Sequence, residues 1–160
     1  MSMMMNNVVR TDTQFSVFLV NKPGILARVC QQLADKKVNI VALSMMDSTE
    51  HGVLRLVAED AEAARHALSN LDLPKQETTV LTASMPNRPG ALADLVERLA
   101  LDHINVHYAY CTTGSLGGKT LGVFKVSNHP RAVQILMERK PRRKEIATAI
   151  RGNGRVARRR

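Results

Sequence analysis

Residues 21–26 read Asn-Lys-Pro-Gly-Ile-Leu, and residues 87–92 read Asn-Arg-Pro-Gly-Ala-Leu. The two stretches stand 66 positions apart, and the match continues at that offset. Ala27 corresponds to Ala93, Leu33-Ala34 to Leu99-Ala100, and Val38-Asn39-Ile40 to Ile104-Asn105-Val106. One small unit is therefore used twice. A copy of about 65 residues is near the lower limit for folding alone, so the two copies are expected to pack on each other.

The best-kept stretch reads as a turn from strand to helix. An apolar strand precedes it in each copy, Phe15 to Val20 and Val80 to Met85. An amphipathic helix follows, with Leu26, Val29 and Leu33 on one stripe and Leu92, Leu95, Val96 and Leu99 on the other. Proline suits a helix start because its missing N–H needs no partner there. Glycine allows a sharp turn and the close approach of a ligand. Asn21 and Asn87 are expected to cap the helices by accepting from their first amides. Open N–H groups and the positive end of a helix dipole favour a carboxylate or phosphate.

The rest of each copy alternates in the same order. In the first, strand Gln14–Val20 and helix Gly24–Lys36 are followed by strands Val38–Met46 and Val53–Ala58 across a polar turn at 47–52. Asp60 caps a helix over 61–70. In the second, strand Val80–Met85 and helix Gly90–Leu101 lead to strands Asn105–Thr112 and Thr120–Val126 around a glycine-rich turn at 114–118. Asn128 and Pro130 open a last helix. Beyond the second turn the best offset becomes 68, which implies a two-residue insertion in that hairpin loop. The fourth strand of the first copy falls at 75–79 and runs into Val80, so a nearly continuous strand is expected over 76–85. The fourth strand of the second copy is expected near Lys144–Ile150. The order βαββαβ with antiparallel hairpins is the ferredoxin-like arrangement, an α+β fold with helices on one face of each sheet. The units are assigned to residues 13–79 and 80–150, with a basic tail at 151–160.

Composition narrows the function. The chain has 160 residues, 44% of them hydrophobic, and a net charge of +9. Residues 1–138 hold 13 Lys/Arg and 13 Asp/Glu, whereas residues 139–160 hold 10 Lys/Arg and one acid, Glu145. The excess charge thus belongs to the tail, where it solvates or touches anionic partners weakly. No apolar run reaches a membrane span, and Met1 to Arg10 lacks the apolar core of a signal peptide. Cys30 and Cys111 form no disulfide framework. Together these features point to the cytoplasm.

Sharper chemical readings find little support. Along a strand, His107 and Cys111 stand about 13 Å apart, too far to share a zinc ion with His103. No metal and no cofactor are expected. Cys30 lies near the apolar stripe of its helix, and no acid/base set accompanies either cysteine, so no catalytic residues are expected. Gly114 to Gly118 lacks the Gly-Lys-Ser/Thr ending of a phosphate loop. Nucleic acid is not expected as the main partner, because Phe15, Phe18, Tyr108, Tyr110 and Phe124 form no cluster with interleaved Lys/Arg.

The two Asn-x-Pro-Gly turns, each with its Val/Ile-Asn-Ile/Val strand start, resemble the ACT domain family of ferredoxin-like modules that sense amino acids. The resemblance covers roughly residues 13–138, in two copies with no catalytic domain attached. It implies a ligand site between paired units, at Asn21, Pro23, Gly24, Ile25 and Leu26 with Asn39 and Ile40, and at Asn87, Pro89, Gly90, Ala91 and Leu92 with Asn105 and Val106. Helix-end amides at 24–26 and 90–92 can take an α-carboxylate, and an asparagine carbonyl can take the α-ammonium group. Leu43 or Tyr108 can contact the ligand's side chain. Asn39 and Asn105 are equally well read as turn residues. Ala91 leaves more room beside its helix end than Ile25, which points to Gly90 as the more sensitive turn. The implied function is non-catalytic regulation by a free amino acid or similar small metabolite, in a homodimer. An alternative is a dissociable regulatory subunit of an amino-acid biosynthetic enzyme, resembling the acetolactate synthase small subunit. Another is a regulator acting through protein contacts, like the tandem glycine cleavage repressor.

Overall fold

The computed structural model describes residues 9–46, 51–113 and 118–138. The hairpin loop residues 47–50 and 114–117, the strand expected near 144–150 and the basic tail lie outside them. Among the described residues ten elements follow one another: β1 (Val9–Val20), α1 (Ile25–Asp35), β2 (Ile40–Met46), β3 (His51–Ala58), α2 (Ala61–Ser69), β4 (Lys75–Pro86), α3 (Ala91–Leu101), β5 (Val106–Thr113), β6 (Lys119–Val126) and α4 (His129–Met137).

The strands form one antiparallel sheet in the order β2-β3-β1-β4-β6-β5. The two central strands serve both repeats. The first part of β4, from Lys75 to Thr79, completes the first repeat beside β1, and its last part, from Leu81 to Pro86, opens the second beside β6. This is the continuous strand that the sequence suggests. β1 does the reverse, starting five residues before the expected Gln14. Its first residues, Val9 to Thr13, pair with Ala83 to Thr79 and fill the fourth-strand position of the second repeat. A run of polar residues, Arg10 to Thr13, hides this extension in the sequence, but Val9 is buried among Leu81, Ala83 and Leu99.

The register makes the pairing symmetric. Val9 pairs with Ala83 and Val17 with Lys75. Adding the repeat offset of 66 turns 9 and 17 into 75 and 83, so each pair maps onto the other. The Thr13–Thr79 pair maps onto itself and marks the pseudo-two-fold axis. Each repeat also carries one register irregularity at the matched place, between Ile40 and Ala42 and between Val106 and Tyr108. β2 and β5 start 66 positions apart and β3 and β6 start 68 apart, as a two-residue insertion in the second hairpin requires.

All four helices cover one face and build two cores. Phe15, Val17, Leu19, Leu54 and Leu56 meet Val29, Leu33, Ala64 and Leu68 in the first. Leu81, Ala83, Met85 and Phe124 meet Leu95, Leu99, Ala132 and Leu136 in the second. Asp60 caps α2 by accepting from the Ala63 N–H at 3.0 Å, and Asn128 caps α4 from Arg131 at 3.2 Å. α1 and α3 end alike, on Lys37 and His103 in the left-handed conformation, both with φ 56°. The Val38 N–H then reaches the Leu33 carbonyl and the Ile104 N–H the Leu99 carbonyl, a Schellman closure made without glycine.

Among the described residues the opposite face carries no helix. The sheet rolls so that its outer strands, β2 and β5, approach each other, and Ala42, Val57, Val80 and Val123 pack in the hollow. Antiparallel geometry gives the sheet two ends. The Asn21 turn after β1 and the start of β5 share one end, and the Asn87 turn after β4 and the start of β2 share the other.

Candidate functional site

The two Asn-x-Pro-Gly turns have the same backbone. In the first, the Ile25 N–H points to the Lys22 carbonyl at 3.4 Å, with Pro23 and Gly24 between them. In the second, Ala91 points to Arg88 at 3.3 Å across Pro89 and Gly90. Gly24 has φ 86°, ψ −15° and Gly90 φ 84°, ψ −11°. Proline followed by a left-handed glycine is the type II turn signature. The glycines themselves occupy the cap positions, and no side chain caps either helix. The expected asparagine caps do not form, because the turn places Asn21 and Asn87 three residues ahead of the cap. Apart from the Ile25 and Ala91 amides that close the turns, first-turn amides are left without a side-chain cap, open to solvent or a ligand. A Cβ on Gly24 would meet nothing within 4 Å, and one on Gly90 only Arg88 Nη1 at 3.7 Å. The glycines serve the positive φ, and no described residue crowds the Cβ position of Gly24.

Side chains separate the two turns. Arg88 folds across its own turn, donating to the Pro89 carbonyl at 3.0 Å and to Asp94 Oδ2 at 3.1 Å. The matching positions of the first repeat hold Lys22 and Arg28, both exposed, and neither has an ion pair among the described residues. The first turn thus presents two cations beside a helix N-terminus, whereas the second neutralises its own. The Ile25/Ala91 difference faces elsewhere: Ala91 is buried in the second core and Ile25 packs on the first, so their sizes do not set the room for a ligand. Leu26 and Leu92 are the apolar side chains exposed at both turns.

The strand starts lie away from the turn of their own repeat. Asn39-Ile40 and Asn21–Leu26 stand at opposite ends of α1, whose 11 residues span roughly 16 Å, and Asn105-Val106 and Asn87–Leu92 are separated likewise by α3. The sheet ends instead group Asn21–Leu26 with Asn105-Val106, and Asn87–Leu92 with Asn39-Ile40. Both asparagines also tie a strand start to the end of the neighbouring strand. Asn39 Nδ2 donates to Glu59 Oε2 at 3.2 Å while its carbonyl accepts from the Glu59 N–H at 2.9 Å. The Asn105 N–H donates to Ser127 Oγ at 3.0 Å, and its carbonyl accepts from Ser127 at 2.9 Å. The reading as turn residues has these bonds behind it.

A polar cluster in the rolled face has no counterpart in the sequence reading. Gln14, fully buried, donates to the Tyr108 hydroxyl at 2.8 Å and to Ser16 Oγ at 3.2 Å, and accepts from the Tyr110 hydroxyl at 3.0 Å. The Arg55 guanidinium lies 4.3 Å from the Tyr108 ring centre. Tyr108 is thereby engaged inside the sheet rather than turned toward either Pro-Gly turn. Burial, assisted by Tyr108 and opposed by Arg55, holds the Tyr110 phenol above its ordinary range, so it stays a donor. Elsewhere, buried Arg98 donates to the carbonyls of Ile135 and Glu138 (2.8 Å to the latter) and closes the end of α4. Partial burial raises the Cys111 thiol. Among the described residues no three His, Cys, Asp or Glu side chains come together to hold a metal, and no helix is long and apolar enough to cross a membrane.

This fold, two matching turns on a shared antiparallel sheet, defines a pair of ferredoxin-like units. The model of the ACT domain pair matches residues 10–146, and the chain belongs to that family. A protein of Bacteroides thetaiotaomicron has a similar structure, with 30% identity, a TM-score of 0.73, and coverage of 82% of this chain and 88% of that one. The regulatory subunit of aspartate kinase from Thermus thermophilus shares the fold at 16% identity and TM-score 0.58, covering 80% of this chain and 93% of that one. The corresponding subunit from Thermus flavus does so at 15% identity and TM-score 0.58, covering 91% and 97%. No curated protein matches the chain.

Proposed function

We propose that the chain is a non-catalytic regulatory protein that binds a free amino acid or a similar small metabolite at its Pro-Gly turns. The observation that carries this reading is the pair of uncapped helix starts, each opened by a left-handed glycine. The ligand's carboxylate accepts from the turn amides at 24–26, where Lys22 and Arg28 add favourable charge. Its ammonium group is taken by an asparagine carbonyl, from Asn21 or from Asn105 at the same sheet end. Leu26 contacts the side chain. The second composite site, with Asn39 and Ile40, is weaker because Arg88 and Asp94 already satisfy each other. Ligand bound at a sheet end favours one packing of the two repeats, or of two chains, and the output is a population shift.

A second reading is that the chain is the dissociable regulatory subunit of an amino-acid biosynthetic enzyme. The likeness to regulatory subunits of aspartate kinase over nearly their whole length favours it, as a likeness of fold. The two readings separate on one experiment. The full chain is screened by thermal shift against the common amino acids. At about 100 times the dissociation constant a ligand adds about 2.7 kcal/mol. A clear rise for the isolated chain supports the sensor. A flat response at millimolar concentration, together with an enzyme that co-purifies, supports the subunit.

A further inference from the structure

A flat six-stranded sheet would put β5 three strands from β1, about 14 Å away. Yet the hydroxyls of Tyr108 and Tyr110 on β5 reach Gln14 on β1 at 2.8 and 3.0 Å. The guanidinium of Arg55, on β3 and one strand further off, stacks on Tyr108. These contacts exist only because the sheet is rolled, and they join the first repeat to the second across the hollow. β2 and β5 approach without forming a ladder, so backbone hydrogen bonds do not hold that seam.

The two repeats differ here as well. Offsets of 66 and 68 give the counterparts of Gln14, Tyr108, Tyr110 and Arg55 as Val80, Ala42, Ser44 and Val123. Three of the four are apolar and the fourth is too short to reach across. The polar cross-link is therefore present once, and it anchors β5 but not β2. Every polar atom of the Gln14 side chain is engaged, which satisfies the cost of burying an amide.

We propose that Gln14, Tyr108 and Tyr110 form a one-sided clasp that keeps the sheet rolled and fixes β5 against β1. They are positioning residues. Asn105 and Val106 begin β5, at the sheet end that carries the Asn21 turn, so the clasp sets the distance between the two halves of that composite site. This last consequence rests on the proposed site; the clasp itself does not, and its test uses no ligand.

The test is a distance across the seam. Spin labels are placed on Cys111 of β5 and on Leu43→Cys of β2, both exposed, in the full chain carrying Cys30→Ala. Pulsed electron resonance on this parent is expected to give one narrow distance. Tyr108→Phe with Tyr110→Phe removes both hydroxyls and keeps the rings. Adding Gln14→Val to that pair installs the residue found at the counterpart position and leaves no buried amide unpaired. A broader and longer distribution in the triple variant, with its cooperative melting retained, is the expected result. An unchanged narrow distance in the folded triple variant overturns the clasp, since apolar packing alone would then hold the seam. Should the variants fail to fold, hydrogen exchange of the unaltered chain decides. Anchored β5 amides should exchange about tenfold more slowly than those of β2, and equal or faster exchange in β5 overturns the proposal.

Discussion

The first Pro-Gly turn and the second share a backbone and differ in charge. Gly24 and Gly90 agree within 4° in both torsions, and the flanking hydrogen bonds agree within 0.1 Å. Around that common frame, Lys22 and Arg28 leave the first helix start electropositive, while Arg88 and Asp94 close the second with an ion pair. The repeated residues therefore specify the turn, and the unrepeated ones set the charge around it. A symmetric backbone frame carries two different electrostatic surroundings.

The largest effects should come from the shared frame. Gly24→Ala and Gly90→Ala each force a side chain into the left-handed region, which costs about 1–2 kcal/mol. Because neither new Cβ meets a close atom, the two losses should match in urea denaturation. A much larger loss at one turn would break the equivalence of the frames. The next effect concerns charge. Lys22→Ala with Arg28→Ala should weaken binding of whichever amino acid raises the melting temperature by about threefold to thirtyfold at low salt, and less at high salt. Arg88→Ala with Asp94→Ala should change it little. A reversed order would assign the working site to the second turn.

Two smaller effects sharpen the comparison away from the turns. Tyr110 stands where the first repeat has Ser44, and burial raises its phenol above the unfolded value of about 10. Folding therefore favours the protonated phenol. The resulting stability is complete below about pH 10 and is lost as the pH rises beyond it, because the unfolded chain ionises first. Tyr110→Phe should flatten the decline in melting temperature above pH 10, and an identical decline would contradict this. Least of all, Lys37→Gly and His103→Gly relieve a left-handed side chain at matched helix ends. Each should stabilise by about 0.5 kcal/mol in chemical denaturation, the gain at φ 56° exceeding glycine's entropic cost.

Much of the fold was legible because its signals repeat. The offset of 66, the shift to 68 and the run from 75 into 80 give the strand order of each half and the shared β4. The early start of β1 was not legible, since Arg10-Thr11-Asp12 looks like a polar leader until Ala83 to Val80 is there to pair with it. Nor was the Gln14 cluster, whose members lie 94 and 96 residues apart and meet only when the sheet rolls. At the turns, Pro-Gly betrays the backbone but not the cap, because Asn-x-Pro-Gly suits an asparagine cap as well as the type II turn that puts glycine in that place. The pairing of Arg88 with Asp94 spans six positions, one turn of helix beyond the motif, and needed the folded geometry to be seen.

The proposal that first-turn amides hold the ligand is decided by following backbone amide resonances of the full chain during titration with an amino acid that raises its melting temperature. Saturable shifts are expected at Gly24, Ile25 and Leu26, with smaller ones at Gly90, Ala91 and Leu92. Saturable binding that leaves both sets unmoved would rule the turns out as the site.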